Sequence, residues 1–303
     1  MKGNLQKDPV FRIDNQLTRR ARSARYLGIS LDKRQNFREH VEQASGKATA
    51  TMQQIASLAQ RQYKVPLTNV RIYMNTVLAP IVGHAASAWV HRLNENIKMR
   101  ERVNRTQRGI LIRLTGAFRT TSLEALAVAT GILPLHLELR KRAAMYWVKK
   151  QDYEKVQRVL TVPAQSKQEV KVAILNQWQQ LWSTSTKRRR LHQLLSNIEQ
   201  RLELNHLVPN QGLIHFLTGH RPYPTHLHRI NQRESDRCDC GVEGTPEHML
   251  FDCRTMEDQT HDMREALRGV TIEEALRNPQ LFPILKNLAT QVSQSQYNLF
   301  RGQ

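Results

Sequence analysis

The sequence predicts a mainly α-helical protein with a small β hairpin at its N-terminus and a zinc knuckle near its C-terminus. Three observations predict it. From Phe37 onward, apolar residues recur at three- and four-residue steps, the period of an amphipathic helix. Before Phe37, short runs alternate apolar and polar as strands do. All three cysteines of the 303-residue chain fall within residues 238–253, with a histidine among them.

The first alternating run is Val10-Phe11-Arg12-Ile13. The second is Arg25-Tyr26-Leu27-Gly28-Ile29-Ser30-Leu31, with Gly28 inside it and Asp32-Lys33 closing it. Together they would form a small hairpin or two strands of a larger sheet. Phe37, Val41, Ala44, Ala48, Met52, Ile55, Ala56 and Ala59 then line one helix face. Pro66 is placed to open the next helix, whose apolar side is Val70, Tyr73, Met74, Val77, Leu78 and Ile81. Pro80 lacks an N–H and should kink or end that helix just before it. Residues 95–114 form a further helix, apolar at Val103, Ile110, Leu111 and Leu114 and basic on its other side. Thr121-Ser122-x-Glu124 starts a short helix in capping-box style, and Gly131 ends it. Pro134 opens the next, which runs through Tyr146-Trp147, and residues 151–168 read as a looser polar segment. One helix carries Ala173, Leu175, Trp178, Leu181 and Trp182, and a second carries Leu191, Leu194, Leu195, Ile198 and Leu202. Two short helical patterns follow Cys253, and a last one covers residues 281–300.

The cysteine run is Cys238-Asp239-Cys240, seven residues, His248, four residues, Cys253. Three thiolates and an imidazole are a standard tetrahedral zinc set, and four protein ligands leave no open position, so the ion would be structural. Gly241 follows the second cysteine, where a tight knuckle needs positive φ. Two other readings remain. Buried thiols acting as small hydrophobes would be spread along the chain. A disulfide suits neither the odd count nor the spacing of Cys238 and Cys240. His226 and His228 could compete as ligands, but the set is complete without them, and they read as surface or packing histidines.

The net charge is +20, and it is unevenly placed. Residues 1–200 carry 35 Lys and Arg against 13 Asp and Glu, whereas residues 201–303 carry 11 against 13. A basic excess of this size points to a polyanion, nucleic acid first. The candidate contacts are Arg102, Arg105, Arg108 and Arg113 on the helix over 95–114, with Arg100 beside them. Lys187, Arg188, Arg189 and Arg190 form a basic run that is a solvated helix start, a phosphate contact or a nuclear-import patch. A two-metal polymerase or nuclease needs clustered carboxylates. No Asp-Asp pair occurs, and residues 51–150 hold four acidic side chains. No Walker glycine loop or Gly-x-Ser-x-Gly elbow is present, and no small-molecule substrate is evident. Residues 1–8 have no apolar core, so no secretion signal is expected. The apolar stretch over residues 78–90 is too short to span a bilayer, so no membrane is expected as a partner and the protein reads as intracellular.

Several segments together resemble a known family. Arg25-Tyr26-Leu27-Gly28-Ile29-x-Leu31-Asp32 with Phe37-x-x-His40-Val41 is similar to the segment after the catalytic palm in reverse transcriptases of non-LTR, LINE-type retrotransposons. Tyr73 through Pro80 to Trp89 resembles that family's thumb helix. Gln107, Leu111, Gly116, Arg119-Thr120-Thr121-Ser122, Leu126, Gly131-Ile132 and Pro134-Leu135 follow the pattern after it. Leu217-Thr218-Gly219-His220, Cys-x-Cys-Gly, Thr245-x-Glu247-His248 and Cys253 resemble its C-terminal knuckle. The resemblance covers most of residues 1–260 and is to the arthropod type-1 clade, whose members insert into ribosomal RNA genes.

The resemblance implies a C-terminal piece of such an RNA-directed DNA polymerase. Residues 1–36 would be the end of the palm with primer-grip-like strands, 37–150 a helical thumb, 151–225 a helical linker, 226–260 the CCHC knuckle and 261–303 C-terminal helices. The family's aromatic-x-Asp-Asp loop has no counterpart here, so the magnesium of the intact enzyme has no site in this chain and the chain alone would not polymerise. Tyr26, Leu27 and Gly28 would lie near the primer end, and the thumb arginines would follow the template–primer duplex by its backbone. The knuckle would hold RNA or target DNA, in the nucleus. The competing reading is a stand-alone zinc-knuckle adaptor for RNA or DNA with no polymerase history.

Overall fold

The N-terminal β structure is two hairpins rather than one. The computed structural model describes residues 11–18, 21–62, 67–185 and 189–302, so residues 1–10 and Pro66, read above, lie outside the described residues. Strands β1 (Phe11–Ile13) and β2 (Gln16–Thr18) pair antiparallel, as do β3 (Ser23–Tyr26) and β4 (Ile29–Asp32). The second alternating run is therefore a complete hairpin, not one strand. It reverses at Leu27 (φ 46°) and Gly28 (φ 81°), two consecutive left-handed residues of the kind that match the twist of a tight hairpin. Asp32 then organises the exit. Its carboxylate accepts the backbone N–H groups of Arg34, Asn36 and Phe37 at 2.9–3.2 Å and aims the chain into helix α1 (Arg38–Gln62).

Along α1, Val41, Ala44, Ala48, Met52 and Ala56 are buried, with Phe37 just ahead of it, as the stripe predicts. Helix α2 (Leu67–Tyr73) does not break at Pro80 but widens before it into a π turn, Met74–Leu78, and resumes as α3 (Ala79–Val82). Ala79 donates to Met74 O in the wider register. Pro80 cannot donate the next bond, and the freed Asn75 carbonyl accepts from Arg142 Nη2 at 2.8 Å instead. Short helices α4 (Ala86–Trp89) and α5 (Arg92–Glu95) lead to α6 (Ile97–Thr115), which is capped by Asn96 (Oδ1 accepting from Met99 N–H, 3.1 Å) and packs along α1.

Helix α7 (Leu123–Thr130) is capped by Ser122, whose Oγ accepts from Ala125 N–H at 3.1 Å. The cap falls one residue later than a Thr121–Glu124 box requires, and Thr121 instead meets His220 Nδ1 at 3.0 Å. Helix α8 (Leu135–Lys149) is central, with α4, α6, α9 (Tyr153–Leu160) and α10 (Lys167–Ser183) packed on it. Helix α9 lies within the segment expected to be loose. Asp152 caps it by accepting from Lys155 N–H at 3.2 Å, and Val156, Val159 and Leu160 are buried. Three apolar residues at helical spacing outweigh its polar composition.

The helix expected through Leu191–Leu202 is two, α11 (Arg189–Leu194) and α12 (Ile198–Glu203). Asn197 restarts it by accepting from Gln200 N–H at 3.0 Å. Side chains of α10 take the groups the break exposes: Gln179 bonds Ser196 O and Ile198 N–H, and Trp182 Nε1 donates to Leu195 O at 2.8 Å. Helices α13 (Gln211–Thr218) and α14 (Pro224–Arg229) precede the cysteine knuckle. After it come a π turn, His248–Asp252, a 3₁₀ turn, Arg254–Met256, and helices α15 (Glu257–Ala266), α16 (Ile272–Arg277) and α17 (Phe282–Gly302). Helix α17 runs against α13, tied by His215–Ser293 (3.0 Å) and Asn210–Thr290 (2.7 Å). One contiguous set of buried apolar side chains extends from Phe37 to Val292. No helix among the described residues is long and apolar enough to cross a membrane.

Candidate metal centre and nucleic-acid interface

The four residues read as ligands converge. One ligand atom from each of Cys238, Cys240, His248 and Cys253 lies within 4.8 Å of every other. Cys238 Sγ and Cys253 Sγ are 3.3 Å apart, Cys253 Sγ and Cys240 Sγ 4.0 Å, and Cys240 Sγ and His248 Nε2 3.1 Å. A tetrahedral ion with metal–sulfur bonds of about 2.3 Å and metal–nitrogen bonds of about 2.0 Å needs edges of about 3.8 Å between sulfurs and about 3.5 Å from sulfur to nitrogen. The two sulfur edges bracket the first value, the 3.1 Å sulfur–nitrogen edge is shorter than the second, and the sulfurs are too far apart for a disulfide. The set could hold a metal ion such as zinc. Burial pushes the Cys238 thiol up, while the Val242 backbone N–H draws Cys240 down. A divalent cation would let three thiolates share this space.

Local structure brings the ligands together in two pieces. The first is a tight reversal in which Cys238 N–H donates to Val242 O (2.7 Å) and Gly241 N–H donates to Cys238 O (2.8 Å). Gly241 takes φ 88°, as the knuckle reading required, and its missing Cβ would meet nothing within 4 Å, so the demand is conformational. The second piece is the π turn. It carries His248 at one end and delivers Cys253 just past the other, with Cys253 N–H donating to His248 O at 2.8 Å.

Arg264 of α15 clamps that turn. Its guanidinium donates to Leu250 O (2.7 Å), Cys253 O (2.9 Å) and Met249 O (3.2 Å) and pairs with Glu257 at 2.9 Å. Arg190 clamps the other side. Its Nε donates to Phe216 O at 3.0 Å, it ion-pairs with Glu247 next to His248, and its guanidinium lies 4.9 Å from the Phe216 ring centre. Neither role is visible in the sequence, where a buried arginine looks like a surface one. Arg264→Met should weaken metal binding by about 10–100-fold, as losing an outer-shell partner typically does. A chelator competition assay measures this, and an unchanged metal affinity would remove Arg264 from the site.

His226 and His228 stand outside the cluster. His228 is exposed, and His226 is buried between the Phe118 ring (5.0 Å) and the His220 ring (4.7 Å), accepting from Arg221 N–H at 3.1 Å.

The basic residues divide. Arg102, Arg105 and Arg113 line a groove between α1 and α6 with Thr49, Gln53 and Met52. Arg102 bridges it to Glu42 at 2.7 Å. Arg108 instead donates to Thr121 O (2.8 Å) and to Arg119 O, holding the turn after α6. Arg190 faces the knuckle as described, Arg189 opens α11, and Lys187 and Arg188 lie outside the described residues. Tyr26 and Leu27 project from the β3–β4 tip, 65% and 78% exposed. The tip is fixed from beneath by His84 Nε2, 3.0 Å from Leu27 O, and His84 packs so close that a Cβ on Gly28 would come within 2.9 Å of it.

Fold and site define a class: a basic, mainly helical protein with a Cys₃His cluster able to hold a metal ion. Its homologues, 22–27% identical over most of the chain, are Pol polyproteins of insect type-1 retrotransposable elements, which bears out the resemblance to non-LTR retrotransposons. It is similar to the retrovirus-related Pol polyprotein from type-1 retrotransposable element R1 2 of Nasonia vitripennis, 27% identical across 82% of this chain and 62% of that protein. It is also similar to the R1 Pol polyprotein of Bradysia coprophila, 25% identical across 85% of this chain and 27% of that protein. A third relative is the putative 115 kDa protein in type-1 retrotransposable element R1DM of Drosophila melanogaster, 24% identical across 80% of this chain. The chain spans less than two thirds of the length of these relatives. No protein-family profile and no solved structure matches it.

Proposed function

We propose that this chain is the nucleic-acid-binding part of a retrotransposon RNA-directed DNA polymerase, acting in the nucleus and lacking the catalytic palm aspartates. Residues 1–36 supply the end of the palm, 37–150 a thumb, 151–225 a linker, 226–260 a zinc knuckle and 261–303 closing helices. The observation that carries the reading is the arginine-lined groove between α1 and α6, in a chain whose relatives are Pol polyproteins. Guanidinium groups on helix faces meet phosphates without reading bases, as a thumb that follows a template–primer duplex must. Tyr26, Leu27 and Gly28, at a fixed exposed tip, are placed to touch a primer end. Zinc is the ion assigned to Cys238, Cys240, His248 and Cys253, because a borderline-soft ion suits thiolate and imidazole. When bound it supplies cross-linking, not catalysis, and the knuckle it closes grips RNA or target DNA. The relatives weigh against a stand-alone adaptor.

The test is the salt dependence of binding to a labelled template–primer duplex. Log affinity should fall with log salt by about 0.9 per neutralised phosphate. Arg105→Gln and Arg113→Gln should each reduce the slope by about one. The chain should not extend the primer. A flat salt profile, or variants that leave the slope intact, would defeat the proposal.

A further inference from the structure

Four helices bring arginine and histidine side chains to one junction with little acidity to answer them. Arg92 comes from α5, Arg100 from the first turn of α6, His136 and Arg140 from α8, and Arg158 from α9. The junction is organised around the end of α9. Arg140 Nε donates to Val159 O at 2.8 Å, and Asn94 Nδ2 donates to Arg158 O at 3.0 Å and to Val159 O at 3.2 Å. His136 Nδ1 lies 2.8 Å from Asn104 Oδ1.

Three features leave this group incomplete. Arg140 is 8% exposed, yet its Nη2 has no hydrogen-bond partner. A buried guanidinium with an unanswered N–H is strongly unfavourable. Next, Glu95 pairs with Arg92 at 2.9 Å, but among the described residues no carboxylate pairs with Arg100, Arg140 or Arg158. Finally, like charges crowd one another. Burial, then Arg140 and Arg100, holds His136 down at about 3, and burial, then Arg158 and Arg92, holds His91 at about 4. Arg264 and Arg201 have protein acceptors at every guanidinium nitrogen, whereas Arg140 Nη2, like Arg92 Nε in this junction, has none. Here a negative partner is missing.

We propose that the junction of α5, α6, α8 and α9 is a phosphate-binding site, with Arg140 as its fixed floor and Arg100 and Arg158 closing over the anion. Arginine forks match phosphate oxygens two at a time. Arg100 is half-buried and Arg158 exposed, so both can swing to admit a ligand. The ligand is a phosphate group, carried by a polynucleotide backbone or free in solution. The backbone form rests on the nucleic-acid reading above, and the free form does not.

The experiment is thermal unfolding of the full chain in inorganic phosphate against chloride at equal ionic strength and pH. Phosphate at ten times its Kd should raise Tm by about 3 °C. The double variant Arg100→Gln/Arg158→Gln, changed at side chains that make no ion pair, should lose the rise, while Lys171→Gln on α10 keeps it. No phosphate-specific rise in the native chain, or an equal rise in the double variant, overturns the site. A second arm measures affinity for a labelled oligonucleotide. A tenfold or greater loss in the double variant identifies a backbone phosphate as the ligand. Unchanged affinity beside a lost Tm rise identifies free phosphate. A native chain that shows the rise but binds no oligonucleotide keeps this site and defeats the polymerase reading.

Discussion

Arg201→Met is expected to lower stability by about 3–5 kcal/mol, a large share of the 5–15 kcal/mol that holds a typical domain together. Arg201 is 1% exposed on α12, and its guanidinium reaches across to the C-terminus of α7. It donates to Val128 O at 3.0 Å, Ala129 O at 2.8 Å, Leu207 O at 2.9 Å and Leu204 O at 3.4 Å. Arg71 adds a bond to Thr130 O at 2.9 Å. The last carbonyls of a helix have no partner within it, and they carry the negative end of its dipole. Two arginines from distant parts of the chain supply those partners. Burial, then the nearby charge of Arg71, holds the Arg201 guanidinium down at about 10, still charged at neutral pH. Methionine fills similar volume but leaves buried carbonyls unanswered, so the loss is electrostatic rather than a cavity. Calorimetry should show Tm falling by roughly 10 °C. Arg201→Lys should fall in between, because one ammonium cannot span carbonyls of both α7 and the 204–207 turn. A Tm within 2 °C of native for the methionine variant would contradict this role.

The same buried arginines mark the boundary of what the sequence discloses. The α1 stripe was legible because Val41, Ala44, Ala48 and Met52 repeat at the helix period and all face inward. The convergence of Cys238, Cys240, His248 and Cys253 was legible because cysteine is rare and their spacing is local. Local conflicts were harder. Gly28 lies inside the second alternating run, but the reversal needs positive φ at Leu27 as well, and leucine gives no sign of that. Asn197 lies in a helical pattern and still restarts the helix, because Gln179 and Trp182 of α10 satisfy the break from outside. Arg264, Arg190 and Arg201 were invisible as structural residues for the same reason. Most of their partners are backbone carbonyls, some as far as 73 residues away, and carbonyls leave no trace in sequence.

Removing the metal should undo the knuckle and leave the helical body folded. Purified protein should carry one zinc per chain, and Cys253→Ser should lose it. Structural zinc at neutral pH contributes apparent binding energies of about 10–16 kcal/mol, more than a small loop-rich module can supply by burial. Cys253 is the critical position because it closes two structures at once. Its sulfur lies 3.3 Å from Cys238 Sγ, and its carbonyl accepts from Arg264 at 2.9 Å. The contacts at the start of the π turn, Thr245 Oγ1 accepting from His248 N–H at 3.1 Å and the Arg190–Glu247 pair, do not reach the 238–242 reversal, so the ion is what would join the two pieces. Hydrogen exchange should therefore show protection lost between residues 233 and 264 in the chelated protein and in the variant, while the amides of α6 and α8 exchange as before. The duplex-binding salt slope assigned to the α1–α6 groove should survive, because its arginines lie on a separate pair of helices. Zinc content and knuckle protection that both survive Cys253→Ser would show that the cluster is not the metal site. Loss of protection throughout α6 and α8 would show that the knuckle and the helical body fold as one unit, bound through the apolar core that α13 and α17 share with it.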